Sequence, residues 1–165
     1  MIGNDIIDLS IAQKESDWKR KGFLDKIFTT HEQKLILKAK NQEQTVWDFW
    51  SRKEAAYKIF NRDSGIRIYN PLQFQCYDLE TSKEINFGKV MHNNITYFTK
   101  TEITEAYIHT IAVTDFEHFE AIKFLKNREN IQKNRGIPNW IDPKTFELKP
   151  VSISHHGQFI KIVTL

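Results

Sequence analysis

Three polar clusters interrupt otherwise apolar segments, and their residue types suit phosphate chemistry assisted by a divalent cation. Asp5 lies in an isoleucine-rich stretch, and Glu54 and Lys58 lie four residues apart in an aromatic segment. Ser154 and His155 follow an alternating segment near the end of the chain. Mg²⁺ usually takes one or two carboxylates together with substrate phosphates, while ammonium, hydroxyl and imidazole groups donate to phosphate oxygens. The residues alone therefore indicate Mg²⁺-dependent phosphate chemistry.

The sequence lacks the patterns of several other chemistries. Cys76 is the single cysteine, and no histidine pair with a glutamate has helical spacing, so a zinc site is not expected. His155 and His156 are adjacent on a predicted strand and would point to opposite faces. A glycine-rich phosphate loop and a serine nucleophile elbow are also missing from the sequence.

The segment that carries Glu54 and Lys58 has the periodicity of a helix. At about 100° per residue, one broad face is apolar. This face contains Val46, Phe49, Trp50, Ala56, Tyr57 and Phe60. Lys53 falls inside it and must reach solvent or a partner, because an isolated buried ammonium costs several kcal/mol; we expect a structural contact beneath the site. The simpler alternative is a core helix with an ordinary Glu54–Lys58 pair worth about 0.2–0.5 kcal/mol.

Residues 2–9 are predicted to form a strand that positions Asp5. Asp5 shares a face with Ile7 and Leu9, so its carboxylate lies either at a wet strand end or beside a cation. Gly3 allows another group to approach the backbone closely.

The remaining pattern predicts helices before residue 66. Residues 23–28 form a short helix or turn, and Thr29 caps a helix that runs to about Ala39. Thr45 is the expected cap of the long aromatic helix, which should end near Asn61.

Strands are predicted after the long helix. Residues 66–113 alternate as an antiparallel meander, and the charged stretch from Asp115 to about Lys133 is expected to be helical. Two strands are expected at 151–154 and 159–163. The order predicts an α+β fold in which an antiparallel sheet packs against a long helix.

Composition limits the partners and the location. The chain has 165 residues, 40% hydrophobic content and a formal net charge of +3, which suit one domain and an acidic or phosphate-bearing partner. Long Lys/Arg blocks are absent from the sequence, so no nucleic acid is expected. Asp5 comes too early for a secretory signal, and no apolar run approaches about 18 residues, so we expect no membrane association and a cytoplasmic location.

Four motifs in order resemble those of the 4′-phosphopantetheinyl transferases. They are G-x-D-I at 3–6 within the segment 3–9, the segment at 23–29 with Glu32, W-x-x-K-E-A-x-x-K at 50–58, and G-x-P at 136–138 followed by S-x-S-H at 152–155. The S-H motif comes last, as in the small holo-acyl-carrier-protein synthase branch. The resemblance implies that family's fold over residues 1–165 as a single domain, with an extra segment at about 116–148.

The resemblance implies transfer of 4′-phosphopantetheine from coenzyme A to a serine of an acidic apo acyl or peptidyl carrier protein, as in fatty acid biosynthesis, releasing 3′,5′-ADP. Carried over to this chain, Asp5 and Glu54 hold Mg²⁺, and Lys58 contacts the phosphate under attack. Glu54, or a water held by the metal, takes the serine proton. Ser154 and His155 bind a phosphate of the coenzyme.

Two departures from the family pattern affect the site. Ile11 stands where the small synthases often carry an arginine, so that contact is lost or taken over by Arg20. Ile7 stands where the larger enzymes have an acidic residue, so two protein ligands of the metal are expected. One copy of each motif implies a homotrimer with shared sites, unless the extra segment completes the site within one chain.

A second class of function stays open. The chain could be a non-catalytic module that binds coenzyme A or a nucleotide, or a basic interaction domain that uses residues 18–21. The presence of Asp5, Glu54 and Lys58 together favours the transferase, because a binding module does not need all three.

Overall fold

In the computed structural model, which describes residues 1–82 and 84–165, a long helix packs on one of two antiparallel sheets. The helices are α1 (Leu9–Glu15), α2 (Phe23–Ile27), α3 (Thr30–Lys38) and the long α4 (Gln42–Ser64). The strands of the first sheet are β1 (Ile2–Asp8), β2 (Gln75–Thr81), β3 (Ile85–His92), β4 (Ile95–Ile103) and β5 (Tyr107–Val113). Their order is β1-β5-β4-β3-β2, and α4 covers one face. The expected α+β class is confirmed.

The second sheet is formed by the last part of the chain. Its strands are β6 (Lys123–Phe124), β7 (Ile131–Asn134), β8 (Ile137–Ile141), β9 (Leu148–His156) and β10 (Phe159–Thr164). They are ordered β6-β10-β9-β8-β7. Both β9 and β10 pack against β1, so β1 joins the two sheets.

The prediction of a helix between Asp115 and about Lys133 is wrong. This stretch contains a short 3-10 helix, Phe116–Ala121, and then β6 and β7. Strands of two and four residues are too short to produce a recognisable alternation. A turn precedes β8, where Arg135 and Gly136 both have positive φ, which suits a tight hairpin.

The long helix begins earlier and ends later than expected. Asn41, not Thr45, is its N-cap, since the Asn41 side chain accepts from the backbone N–H of Gln44 at 3.1 Å. The helix continues past Asn61 to Ser64, where Gly65 ends it with φ 71°. Asparagine occurs both in loops and at caps, so the pattern did not separate the two.

The meander begins later than expected. Residues 66–69 alternate in sequence but form no strand, and Ile68 is 82% exposed. The Tyr57 hydroxyl donates to the Arg67 carbonyl and ties this loop to α4. The pairing of β2 through β5 otherwise follows the expected antiparallel order.

Lys53 is buried and paired beneath the first sheet. Its Nζ donates to Glu32 Oε2 at 2.8 Å and to the carbonyls of Pro71 and Phe74. Glu32 also accepts from the backbone N–H groups of Thr29 and Cys76, and with Thr29, the predicted cap, it forms a capping box at the start of α3. The contact is structural, and it fixes α4 against α3 and β2.

No helix in the described part of the chain is both long and apolar enough to cross a membrane.

Candidate active site

A cavity of about 240 Å³ lies beside β1, between α1, α4 and the end of β9. Its walls include three carboxylates, two imidazoles and two indoles, from Asp5, Glu15, Glu54, His155, His156, Trp47 and Trp50. A larger groove of about 1140 Å³ is lined by His109 and Phe124, and none of the predicted site residues line it. The smaller cavity is therefore the candidate site, because the predicted chemistry converges there.

Close packing of α4 on β1 brings Lys58 to Asp5. A Cβ at Gly3 would collide with the carbonyl oxygen of Ala55, so only glycine permits this approach. Lys58 Nζ consequently lies 2.6 Å from the Asn4 carbonyl oxygen and 3.4 Å from Asp5 Oδ1. The Asp5 side chain is only 15% exposed. Of the two alternatives, the carboxylate beside a cation is the one observed.

The two carboxylates carry raised pKa values. Burial raises the pKa of Asp5 above its usual range, and Lys58 opposes that shift. Burial also raises the pKa of Glu54 to about 7, with a further increase from the charge of Asp5. One lysine thus faces two partly buried carboxylates, and a positively charged ligand would relieve their repulsion.

The donor set suits a hard divalent cation. No group of three or more metal-binding His, Cys, Asp or Glu side chains occurs in residues 1–82 and 84–165. Asp5 and Glu54 contribute two carboxylates from different elements, which is the number that Mg²⁺ usually takes when substrate phosphates complete its shell. The residues present therefore fit Mg²⁺.

Ser154 and His155 have different surroundings although they are adjacent on β9. His155 is exposed and lines the cavity. Ser154 is 6% exposed and is not part of the cavity wall. The Ser154 hydroxyl has no hydrogen-bond partner among the described residues. The structure thus brings Asp5, Glu54 and His155 to one cavity, adds Lys58 at its edge, and leaves the Ser154 hydroxyl buried.

His156 is a residue of this cavity for which the sequence left two alternatives open, a second phosphate donor or a turn residue. Its Nδ1 accepts from the backbone N–H of Asp8 at 2.9 Å, and Ser152 Oγ accepts from the N–H of Asn4 at 2.9 Å. Ser152, Ser154 and His156 alternate on β9 and share one face. That alternation was the available signal, but its meaning depends on β9 lying beside β1.

Comparisons with known proteins agree with these motifs. A family model described as the 4′-phosphopantetheinyl transferase superfamily matches residues 1–112. The chain is also 36% identical over 97 residues to a holo-[acyl-carrier-protein] synthase of Alkaliphilus oremlandii (strain OhILAs), and the match covers 56% of this chain and 71% of that protein. The chain therefore belongs to the 4′-phosphopantetheinyl transferase superfamily and is an enzyme of that class.

Two solved structures resemble the fold weakly. Helicobacter pylori holo-[acyl-carrier-protein] synthase, in complex with coenzyme A, gives a TM-score of 0.47 at 15% identity, covering 68% of this chain and 98% of that one. Thermotoga maritima holo-[acyl-carrier-protein] synthase gives a TM-score of 0.47 at 12% identity, and the match covers 99% of this chain and 82% of that one. The family assignment rests on the sequence matches.

Proposed function

We propose that this protein transfers 4′-phosphopantetheine from coenzyme A to a serine of an acyl or peptidyl carrier protein and releases 3′,5′-ADP. The observation that carries the proposal is the cavity where Asp5 of β1 and Glu54 of α4 lie beside Lys58. The 36% identical relative is a holo-[acyl-carrier-protein] synthase, which supports coenzyme A and a carrier protein as the two substrates.

Asp5 and Glu54 would hold Mg²⁺, and Lys58 would contact the phosphate under attack. When bound, the ion supplies positive charge that neutralises and orients the diphosphate of coenzyme A. Lys58 has three N–H donors and uses two on the Asn4 carbonyl and Asp5, so one remains for a phosphate oxygen. Positioning and charge neutralisation are the main requirements of phosphoryl transfer.

Glu54 takes the proton of the attacking serine. Without the metal, burial raises the pKa of Glu54 to about 7; a bound cation would lower that pKa, which leaves the carboxylate deprotonated and able to accept a proton. The serine oxygen forms a bond to the phosphorus of the pantetheine phosphate as the bond from that phosphorus to the oxygen of 3′,5′-ADP breaks. The serine proton passes to the Glu54 carboxylate and then to solvent.

His155 and Ser154 bind a phosphate on the adenosine side of coenzyme A. The exposed position of His155 in the cavity wall supports this role. For Ser154 the support is the motif alone, because its hydroxyl is buried away from the cavity wall.

The carrier protein is proposed to dock beside α1. Lys19, Arg20 and Lys21 are exposed just after α1, while Trp18 is buried and anchors them. This basic segment, together with a net charge of +3, suits an acidic carrier protein through electrostatic steering. Ile11 occupies the position where the small synthases often carry an arginine, and Arg20 is the proposed replacement for that arginine.

Assembly into a homotrimer is a separate part of the proposal. An aromatic surface on the outer side of the first sheet supports assembly, because Phe87 and Phe98 each pack against Phe116, which is 46% exposed. One observation favours the alternative of a site completed within one chain. His155, from the C-terminal strands, already lines the cavity that contains Asp5 and Glu54.

The test is incubation with coenzyme A, Mg²⁺ and a panel of apo carrier proteins. We expect at least one carrier to gain the mass of one phosphopantetheine group, and EDTA to abolish the gain. If coenzyme A binds but no carrier is modified, the non-catalytic binding module is the better description.

A further inference from the structure

His156 presents a fixed N–H donor that the proposed reaction does not yet use. Its Nδ1 lies 2.9 Å from the backbone nitrogen of Asp8. A backbone N–H can only donate, so Nδ1 must be the acceptor. In the neutral imidazole the ring proton therefore lies on Nε2, and hydrogen bonding by the strand itself selects this tautomer.

The Nε2 edge of His156 is available to a ligand in the candidate site. His156 lines the same cavity as Asp5, Glu54 and His155, although the two adjacent histidines were expected to face opposite sides of the strand. The carboxylate of Glu15 is 3.7 Å from Nε2, which is longer than a hydrogen bond. Glu15 ends α1 with a side chain that is 67% exposed, so it can turn into solvent.

The position of His156 is fixed by the turn that follows it. The Asp8 carboxylate accepts from the N–H of Gln158 at 3.3 Å and also caps α1 through Ser10 and Ile11. A Cβ at Gly157 would collide with that carboxylate, so the turn lies directly against Asp8. The donor is thus held in place before a ligand arrives, which reduces the entropy cost of binding.

We propose that His156 Nε2–H donates to a phosphate oxygen of coenzyme A, as a second imidazole donor beside His155. The inference rests on the proposed function. The chemical need comes from Asp5 and Glu54, which repel an anionic ligand, so several donors must face its phosphates. The acceptor is either the 3′-phosphate or the diphosphate, since both offer anionic oxygens.

Two substitutions of His156 distinguish a role in binding coenzyme A from a structural role in holding β9 against β1. His156→Asn keeps an acceptor at the place of Nδ1 but has no group that reaches the Nε2 position, whereas His156→Gln can place an N–H there. With Mg²⁺ present, we expect H156N to raise the Kd for coenzyme A about 10- to 100-fold, as for loss of a hydrogen bond to a charged group, and H156Q to bind more tightly than H156N. The reverse order, or unchanged affinity in both variants, would overturn the inference.

A comparison with dephospho-coenzyme A identifies the acceptor. If the effect of H156N disappears with this ligand, His156 contacts the 3′-phosphate; if it persists, His156 contacts the diphosphate. Glu15→Gln is the matched control, and it should leave the Kd unchanged or lower it. Weaker binding by E15Q would mean that a His156–Glu15 pair has the structural role and would overturn the inference.

A measurement on the unsubstituted protein avoids dependence on variant folding. Nitrogen NMR of the His156 ring should report the Nε2–H tautomer, and the Nε2 signal should move when coenzyme A is added with Mg²⁺. An Nδ1–H tautomer, or no change on saturation, would contradict the inference. If the unsubstituted protein does not bind coenzyme A, the proposed function itself fails; if it binds and only the His156 tests fail, the proposed function stands.

Discussion

At the scale of single residues, Glu54 combines requirements that oppose each other. It lies partly buried beside Asp5, which disfavours its charge, yet the proposed base and metal ligand must be charged. Lys58 offsets only part of this cost. Such a conflict between stability and chemistry is typical of catalytic carboxylates.

Replacing Glu54 by glutamine should nearly abolish transfer and leave the fold intact. The amide has the same shape but can neither accept the serine proton nor bind Mg²⁺ as a carboxylate does, so kcat should fall by at least about 10²- to 10⁴-fold. Carrier modification rates and circular dichroism provide the measurement. Glu43→Gln, in the first turn of the same helix, should retain activity. An unfolded E54Q would mean that Glu54 is structural.

The same group should make the metal-free protein less stable as the pH rises. The pKa of Glu54 is about 7 when folded, against 4.5 for the ordinary carboxyl. A raised folded-state pKa gives a contribution that is present below pH 4.5 and is lost as the pH rises through 7. In EDTA at pH 8, E54Q should therefore be more stable than the unsubstituted protein, by up to about 3 kcal/mol. Urea unfolding at several pH values measures the free energy of unfolding. If that free energy changes equally with pH in both proteins, the prediction is wrong.

The part of the site formed by Asp5, Glu54 and Lys58 was predictable from the sequence. The signals were local patterns, namely the i,i+4 spacing of Glu54 and Lys58 and the position of Asp5 in a strand. His156 was not predictable. Its tautomer depends on Asp8, about 150 residues away in the chain, through the contact of β9 with β1. Adjacency of strands so distant in sequence is not encoded in any local periodicity.

At the scale of elements, the buried ion pair of Lys53 and Glu32 connects α4, α3 and β2. Both side chains are fully buried, and among the described residues their hydrogen-bond partners are backbone groups and each other. The need for a partner of Lys53 followed from its place on the apolar face. The identity of the partner did not, because Glu32 lies on a different helix.

Lys53→Met should destabilise the fold by about 3–5 kcal/mol, because it leaves the Glu32 carboxylate buried without its counter-ion. The double variant Lys53→Met with Glu32→Gln should recover part of that loss, since no uncompensated charge remains. Lys34→Met, at an exposed position of α3, is the control and should change stability by less than about 0.5 kcal/mol. If the single variant K53M unfolds at the same urea concentration as the unsubstituted protein, the pair contributes nothing.

At the scale of the whole molecule, the fold consists of a part matched by the family model and a second sheet beyond it. The match covers residues 1–112, whereas His155 and His156 come from β9. The composition of residues 116–133 misled the sequence prediction, since short strands in a charged segment resemble a helix surface. The two parts meet along β1, which carries Asp5.

The aromatic surface of the first sheet should decide the oligomeric state. Phe116→Asp places a charge on an exposed aromatic residue, so it should convert a trimer into monomers without unfolding the chain. Light scattering during gel filtration gives the mass of each form. Phe146→Asp, at an 80% exposed position in a different part of the chain, is the control. An unsubstituted protein that is monomeric and active would contradict the trimer and support a site completed within one chain.

The contact between β1 and β9 predicts that the C-terminal hairpin of β9 and β10 can detach from β1 before the first sheet unfolds. The backbone N–H groups of Asn4 and Asp8 donate there to the side chains of Ser152 and His156. Their amide protons are thus sheltered from solvent exchange only while the C-terminal hairpin is seated, whereas the amides that β1 shares with β5 need the first sheet itself to separate. Faster exchange at Asn4 and Asp8 than at the β1–β5 ladder would reveal hairpin opening as an event separate from unfolding.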